Sequence, residues 1–196
     1  MGEFSYELDD LIRRSYETSC SHGFHETYLS DEHMLMLVMS EVGEMVDASR
    51  HGRRASLCSF DDAIAKDRES KALFKESFEK YVKDSIEDEM ADVVIRLFDF
   101  CGLYDLRLHD WCIDGTLKKD DFINLFSHDD FPSKCYHICD LLTHMELDDE
   151  TMGEDLEMTL SYIFHWSEFE GIDLMRHVHL KMRYNEMRPY KNGKVY

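Results

Sequence analysis

Two short segments concentrate the side chains of this sequence that can do chemistry. In LMLVMSEVGEMVDASRHGRR, Leu35 to Arg54, Glu41 and Glu44 stand three apart in a run that is otherwise largely apolar. In SIEDEMADVVIRLFDFC, Ser85 to Cys101, Glu89 and Asp92 repeat that spacing, with Arg96 one turn on. Residues three apart on a helix share a face, so each pair sets two like charges side by side. Keeping them ionised against apolar neighbours requires a counter-charge or a proton. Where two such helices face one another, four carboxylates meet, and two Mg²⁺ ions balance them. Oxygen-only donors suit Mg²⁺ or Mn²⁺ rather than zinc. Glu41, Glu44, Glu89 and Asp92 are therefore the candidate metal ligands. The plainer alternative is four solvated positions on amphipathic helices.

Helices have to position these pairs, and apolar residues do recur mostly at helical spacing, with no alternating strand run. Two prolines and nine glycines give little punctuation in 196 residues, so an all-α fold with long elements is expected. The length suits a single domain over 1–196. A first helix is expected over Tyr6 to Cys20. A second follows Ser30, a candidate N-cap, with His33 where a capping box carries Glu or Gln, and runs to about Arg50. On it Leu35, Val38, Met39, Val42 and Val46 form a core stripe, and Met34, Leu37, Glu41, Glu44, Met45 and Ala48 the adjacent one. Residues 51–72 read as polar and irregular with one short helix. Leu73 to about Leu106 reads as two helices or one broken helix, with Ile86, Met90, Val93, Val94, Leu97 and Cys101 as its core stripe. A long loop with a short helix is expected over 107–133. Helices are expected over Ser133 to Met145 and Glu154 to Glu170, and a last one after Gly171 to about Met187.

The net charge of −20 repels polyanions, which argues against nucleic acid as a main partner, and attracts divalent cations. The N-terminus has no signal-peptide apolar region, and the longest apolar run, Met34 to Met39, is too short to span a bilayer. A cytoplasmic protein with no membrane partner and reduced cysteines is expected. Against this acidity, residues 176–196 hold Arg176, Lys181, Arg183, Arg188, Lys191 and Lys194 with only Glu186 opposing. Such a segment complements either substrate phosphates or the protein's own acidic surface. Arg50, Arg53 and Arg54 are a lesser phosphate candidate, equally explained by cations at a helix C-terminus. Cys135, His137 and Cys139 do not share a helical face with one another, which argues against a zinc cluster with His144. His109-Asp110 and His128-Asp129 invite comparison with HD-type phosphohydrolases but fall in the loop-like region. Trp111 and Trp166 read as core.

The wording of the two acidic segments carries further. EVGEMVDA followed by EDEMADVVIRL resembles the MazG-like, all-α nucleoside triphosphate pyrophosphohydrolases, which are marked by E-x-x-E and then E-x-x-D on antiparallel helices. GFHETYLSDEH resembles the approach to the first motif and ASRHGRRA its exit. KMRYNEMRPYKNGKVY resembles the K-x-x-Y-N-x-x-R-P-Y-x-x-G-K ending of one branch, with Asn192 where a histidine is common. The likeness covers about residues 10–101 and 171–196. It implies a helical bundle of the all-α NTP pyrophosphatase type, with 107–170 as a lineage-specific insertion adding helices before the last one. It implies Glu41, Glu44, Glu89 and Asp92 as ligands of Mg²⁺ (or Mn²⁺), and Lys181, Asn185 and Arg188 as substrate contacts with Tyr184 beside them. The implied reaction is hydrolysis of a (d)NTP between its α and β phosphates, in a homo-oligomer, dimer or higher. Either Glu41 or Glu44 is expected to orient or deprotonate the attacking water. An HD-type phosphohydrolase and a non-catalytic nucleotide-binding module are the alternatives.

Overall fold

The structure, a computed structural model, describes residues 3–113, 125–147 and 151–190. Among these every regular element is helical. α1 covers Glu3–Ser21, α2 Asp31–Arg50, α3 Leu57–Ile64, α4 Lys71–Tyr81 and α5 Ile86–Leu103. A 3-10 turn at Asp110–Cys112 follows, then α6 at Phe131–His144, α7 at Met152–Phe169 and α8 at Leu174–Asn185. The long loop expected over 107–133 contains that turn and a helical stretch at 125–128; residues 114–124 lie outside the described residues.

Local chemistry sets the boundaries. Ser30, Ser56, Ser70 and Ser85 cap α2 to α5, each hydroxyl accepting the N–H three residues on. Asp130 and Asp173 do the same for α6 and α8. α2 stops where Gly52 takes a φ of 63°, and the turn closes through Arg53 N–H to the Ala48 carbonyl at 2.9 Å.

α5 is the axis of the fold. Nearly every residue from Ile86 to Cys101 is buried, including Glu87, Asp88 and Glu89 in its first turn, where carboxylates suit the positive end of the helix dipole. A helix buried all round must be wrapped by others, and α1, α2, α7 and α8 pack on it. α2 runs antiparallel to it. Ile86 N–H reaches the Arg53 carbonyl at one end (3.2 Å), and the Tyr104 hydroxyl donates to Asp31 at the other. Leu35, Val38 and Val42 of α2 share one hydrophobic cluster with Met90, Val93, Val94 and Leu97 of α5 and with Leu8 and Leu11 of α1.

The segment 107–170 is woven into that cluster through Ile138, Leu142, Leu156, Leu160, Ile163 and Trp166. Burying side chains of this size contributes roughly 1.5–3 kcal/mol each, so the described helices of this segment belong to the core. Trp166 is core as expected; the Trp111 side chain lies outside the described residues. α3 and α4 build a second, smaller cluster from Phe60, Ile64, Phe74, Phe78 and Val82, roofed by Tyr184 of α8. No helix among the described residues is long and apolar enough to cross a membrane.

Candidate active site

Antiparallel packing of α2 on α5 brings the two acidic pairs to one level. One carboxylate oxygen each of Glu41, Glu89 and Asp92 lies within 4.8 Å of the others. Glu41 and Glu89 are both 4 % exposed and Asp92 is half-buried. Glu44 stands differently. It is exposed, on the rim of a groove it shares with Asp47, Arg53, Asp84 and Glu89. The four expected ligands therefore arrive as a buried trio with Glu44 at its solvent edge.

Two cations, Arg96 half-buried and Lys181 buried, are committed to this layer. Arg96 Nε donates to Glu41 Oε1 at 2.6 Å. Lys181, 4 % exposed, reaches from α8 between two carboxylates, 2.8 Å from Asp88 Oδ2 and 2.7 Å from Asp92 Oδ2. Burial works against its ammonium, but Asp92 and Asp88 outweigh that and hold its pKa above the ordinary lysine value. The negative charge still exceeds the positive. Burial raises the pKa of Glu41, with Asp92 and Glu44 adding to the effect and Arg96 opposing it. Glu89 is pushed up to about 8 by burial, against the pull of Lys181, with Asp92, Asp88 and Glu44 reinforcing. Asp88 is pushed up to about 6 by burial, reinforced by Asp92 and resisted by Lys181. Burial that shifts Glu41, Asp88 and Glu89 towards their protonated forms marks a layer short of cations.

On the α1 side the layer forms one wall of a cleft of roughly 710 Å³, counted to its open mouth. Glu41, Asp92 and Arg96 stand at one side of it, Asn185 and Arg188 at another, and Ser15, Ser19, His22 and Phe24 come from α1 and the turn after it. Ser15 Oγ is buried and without a protein partner. Asp99 is held by His25 Nε2 at 2.7 Å and by the Ser19 hydroxyl at 3.0 Å. Arg188 Nη1 lies 3.5 Å from Asn185 Oδ1, and the Arg188 carbonyl sits 2.8 Å from His22 Nε2.

The remaining sequence candidates fall elsewhere. Tyr184 turns its ring into the small second core, stacked on Phe78 with centroids 4.5 Å apart, and its hydroxyl donates to Glu79 Oε1 at 2.9 Å. Arg176 pairs with Asp61, and Arg183 donates to the Arg68 carbonyl and lies over the Phe74 ring. Those two arginines dock on the protein itself. Lys191 and Lys194 lie outside the described residues. Arg53 pairs with Asp47 and Arg54 with Glu87. In the Cys135 to His144 segment, His137 pairs with Asp129 and His144 meets the Asp140 carbonyl, while Cys135 is buried in the core. His109 stands against Glu157.

The sequence reading missed the α1 side of the cleft and Asp99. Asp99 was within reach of pattern: Glu89, Asp92, Arg96 and Asp99 run along α5 at spacings of three, four and three, one polar stripe on a buried helix. No comparable signal marks Ser15 or Ser19, which are ordinary helix-surface residues until α5 packs against them. Comparison of the chain with protein-family models, with curated proteins and with solved structures finds no match in any of the three.

Proposed function

We propose that this chain is a metal-dependent nucleoside triphosphate pyrophosphohydrolase, releasing pyrophosphate and a nucleoside monophosphate from a ribo- or deoxyribonucleoside triphosphate. One observation carries the reading: Glu41, Glu89 and Asp92 converge, largely buried, beside a cleft that presents Asn185 and Arg188. The donors are all oxygen, and their charge exceeds what Arg96 and Lys181 offset, a combination that fits Mg²⁺ or Mn²⁺. Glu41, Glu89 and Asp92 would hold the ion, with Glu44 beside them. Bound there, it supplies Lewis-acid polarisation of phosphate oxygens and neutralises charge on the leaving group.

The side chains do the rest. A water oxygen forms the new bond to the α phosphorus, the bond from that phosphorus to the α–β bridging oxygen breaks, and the water proton passes to a carboxylate. Glu41 suits that role because it lines the cleft and burial makes it more basic than an ordinary glutamate. Glu44, in contact with solvent, can deliver the water. Arg188 and Asn185 hold nucleotide in the cleft. Lys181 pairs with Asp88 and Asp92 and holds them in place, a positioning role besides the phosphate contact expected of it. A homo-oligomer and a cytoplasmic location go with this reading.

A second reading, nucleotide binding without turnover, has one observation in its favour: Arg96 and Lys181 already occupy Glu41 and Asp92. The deciding experiment is turnover across a panel of (d)NTPs with Mg²⁺ and product identification. Pyrophosphate and monophosphate support the proposal. Orthophosphate released directly from a triphosphate points to an HD-type reaction, and tight binding without products supports the second reading.

A further inference from the structure

The turn into α5 places another carboxylate group beside the first trio. Asp84 there holds a positive φ of 60°, and its backbone N–H donates to Asp88 Oδ2 at 3.0 Å. Lys181 donates to that same oxygen. The other oxygen, Asp88 Oδ1, is buried and accepts nothing, in a residue only 1 % exposed. A buried carboxylate oxygen with no donor is a costly arrangement unless something positive meets it. One oxygen each of Asp84, Asp88 and Glu89 lies within 4.8 Å of the others. Asp84 and Asp88 stand outside the E-x-x-E and E-x-x-D positions.

We propose that Asp84, Asp88 and Glu89 form a second divalent-cation site, joined to the first through Glu89; this rests on the reading of Glu41, Glu89 and Asp92 as the first site. All donors are oxygen, so the occupant is a hard cation, Mg²⁺ or Mn²⁺. The site borders the groove lined by Glu44, Asp47, Arg53, Asp84 and Glu89, which shares no lining residue with the cleft of Asn185 and Arg188. That position gives it a task. The layer sets Glu41, Glu44, Asp84, Asp88, Glu89 and Asp92 against Arg96, Lys181 and Lys83, and a triphosphate adds further negative charge. The β and γ phosphates can lie among those carboxylates only with a cation between. Arg53, paired to Asp47 at 2.6 Å, supplies the groove's own positive side chain. The second cation thus offsets the excess negative charge of this layer and meets the open Asp88 Oδ1.

Titration of the intact apo-protein with Mn²⁺, followed by electron paramagnetic resonance, counts the ions and reports whether they are coupled. The wild-type chain is expected to bind two Mn²⁺ with a spin-coupled spectrum. Asp84→Asn is expected to bind one, the affinity for the second falling at least roughly tenfold. Asparagine tolerates the left-handed backbone and glycine adopts it freely, so Asp84→Asn and Asp84→Gly both keep the turn, and a thermal melt verifies this. One Mn²⁺ in the wild type, or two of unchanged affinity in both variants, overturns the second site and leaves the first standing. No Mn²⁺ bound in the wild type overturns both.

Discussion

Glu89→Gln should make the metal-free protein more stable, and more so as the pH rises. The Glu89 carboxyl sits between Glu41 and Asp92 on one side and Asp84 and Asp88 on the other, and its pKa is pushed up from 4.5 to about 8. Between those two values the folded chain binds a proton at Glu89 that the unfolded chain does not, so stability falls as pH rises through this window. A shift of that size places a penalty of roughly 5 kcal/mol on the ionised form above pH 8. The adjoining groove opens to solvent and screens part of it, and we expect about 2 kcal/mol to be measurable. Glutamine keeps the shape without the charge. The variant should gain roughly 4–8 °C in Tm at pH 8, by the usual scaling for chains of this length. Near pH 5 the wild-type carboxyl already carries its proton, and the gain should shrink towards zero. Millimolar Mg²⁺ should reverse the order, since the ion stabilises the wild-type chain by mass action and the variant less. The assay is thermal or urea unfolding from pH 5 to 8, with chelator and then with Mg²⁺. A variant less stable than wild type at every pH, or a gain that ignores pH, would refute the picture of a cation-starved layer.

Lys181→Ala breaks a buried ion pair and should cost about 3–5 kcal/mol in urea unfolding at pH 8, with a smaller loss near pH 5.5, where Asp88 takes up a proton. Arg188→Ala should leave the melt unchanged and lower kcat/KM by roughly ten- to a hundredfold, mainly through KM; wild-type kinetics would remove Arg188 from the substrate site. Tyr184→Phe loses only the hydrogen bond to Glu79, so stability should fall by about 1 kcal/mol with kcat/KM unaltered, whereas a large kinetic defect would return Tyr184 to the substrate site. Glu41→Gln and Asp92→Asn should abolish turnover in a folded protein, as judged by circular dichroism beside the activity assay.

The helical class, most helix boundaries and the pairing of E-x-x-E with E-x-x-D were legible in the sequence alone, because they rest on short-range rules. Serine and aspartate caps act within three residues, apolar spacing acts within two turns, and a charged pair three apart on an apolar helix is visible in one window. Burial all round α5 was half legible: its apolar stripe showed it as core, but the burial of Asp88 and Glu89 did not follow from residue type. What each charged group touches was decided only by tertiary packing. Lys181 and Arg188 sit seven apart on one basic segment, yet α8 delivers Lys181 between Asp88 and Asp92 and leaves Arg188 lining the cleft. Tyr184, three residues from Lys181, faces a different core altogether because α3 and α4 pack on that side. Likewise α2 buries Glu41 and exposes Glu44, though the motif treats them alike, since α5 covers one edge of that face and a groove opens at the other. The second carboxylate group arises from a left-handed turn before α5 and a lysine 97 positions further on, a contact no local pattern encodes.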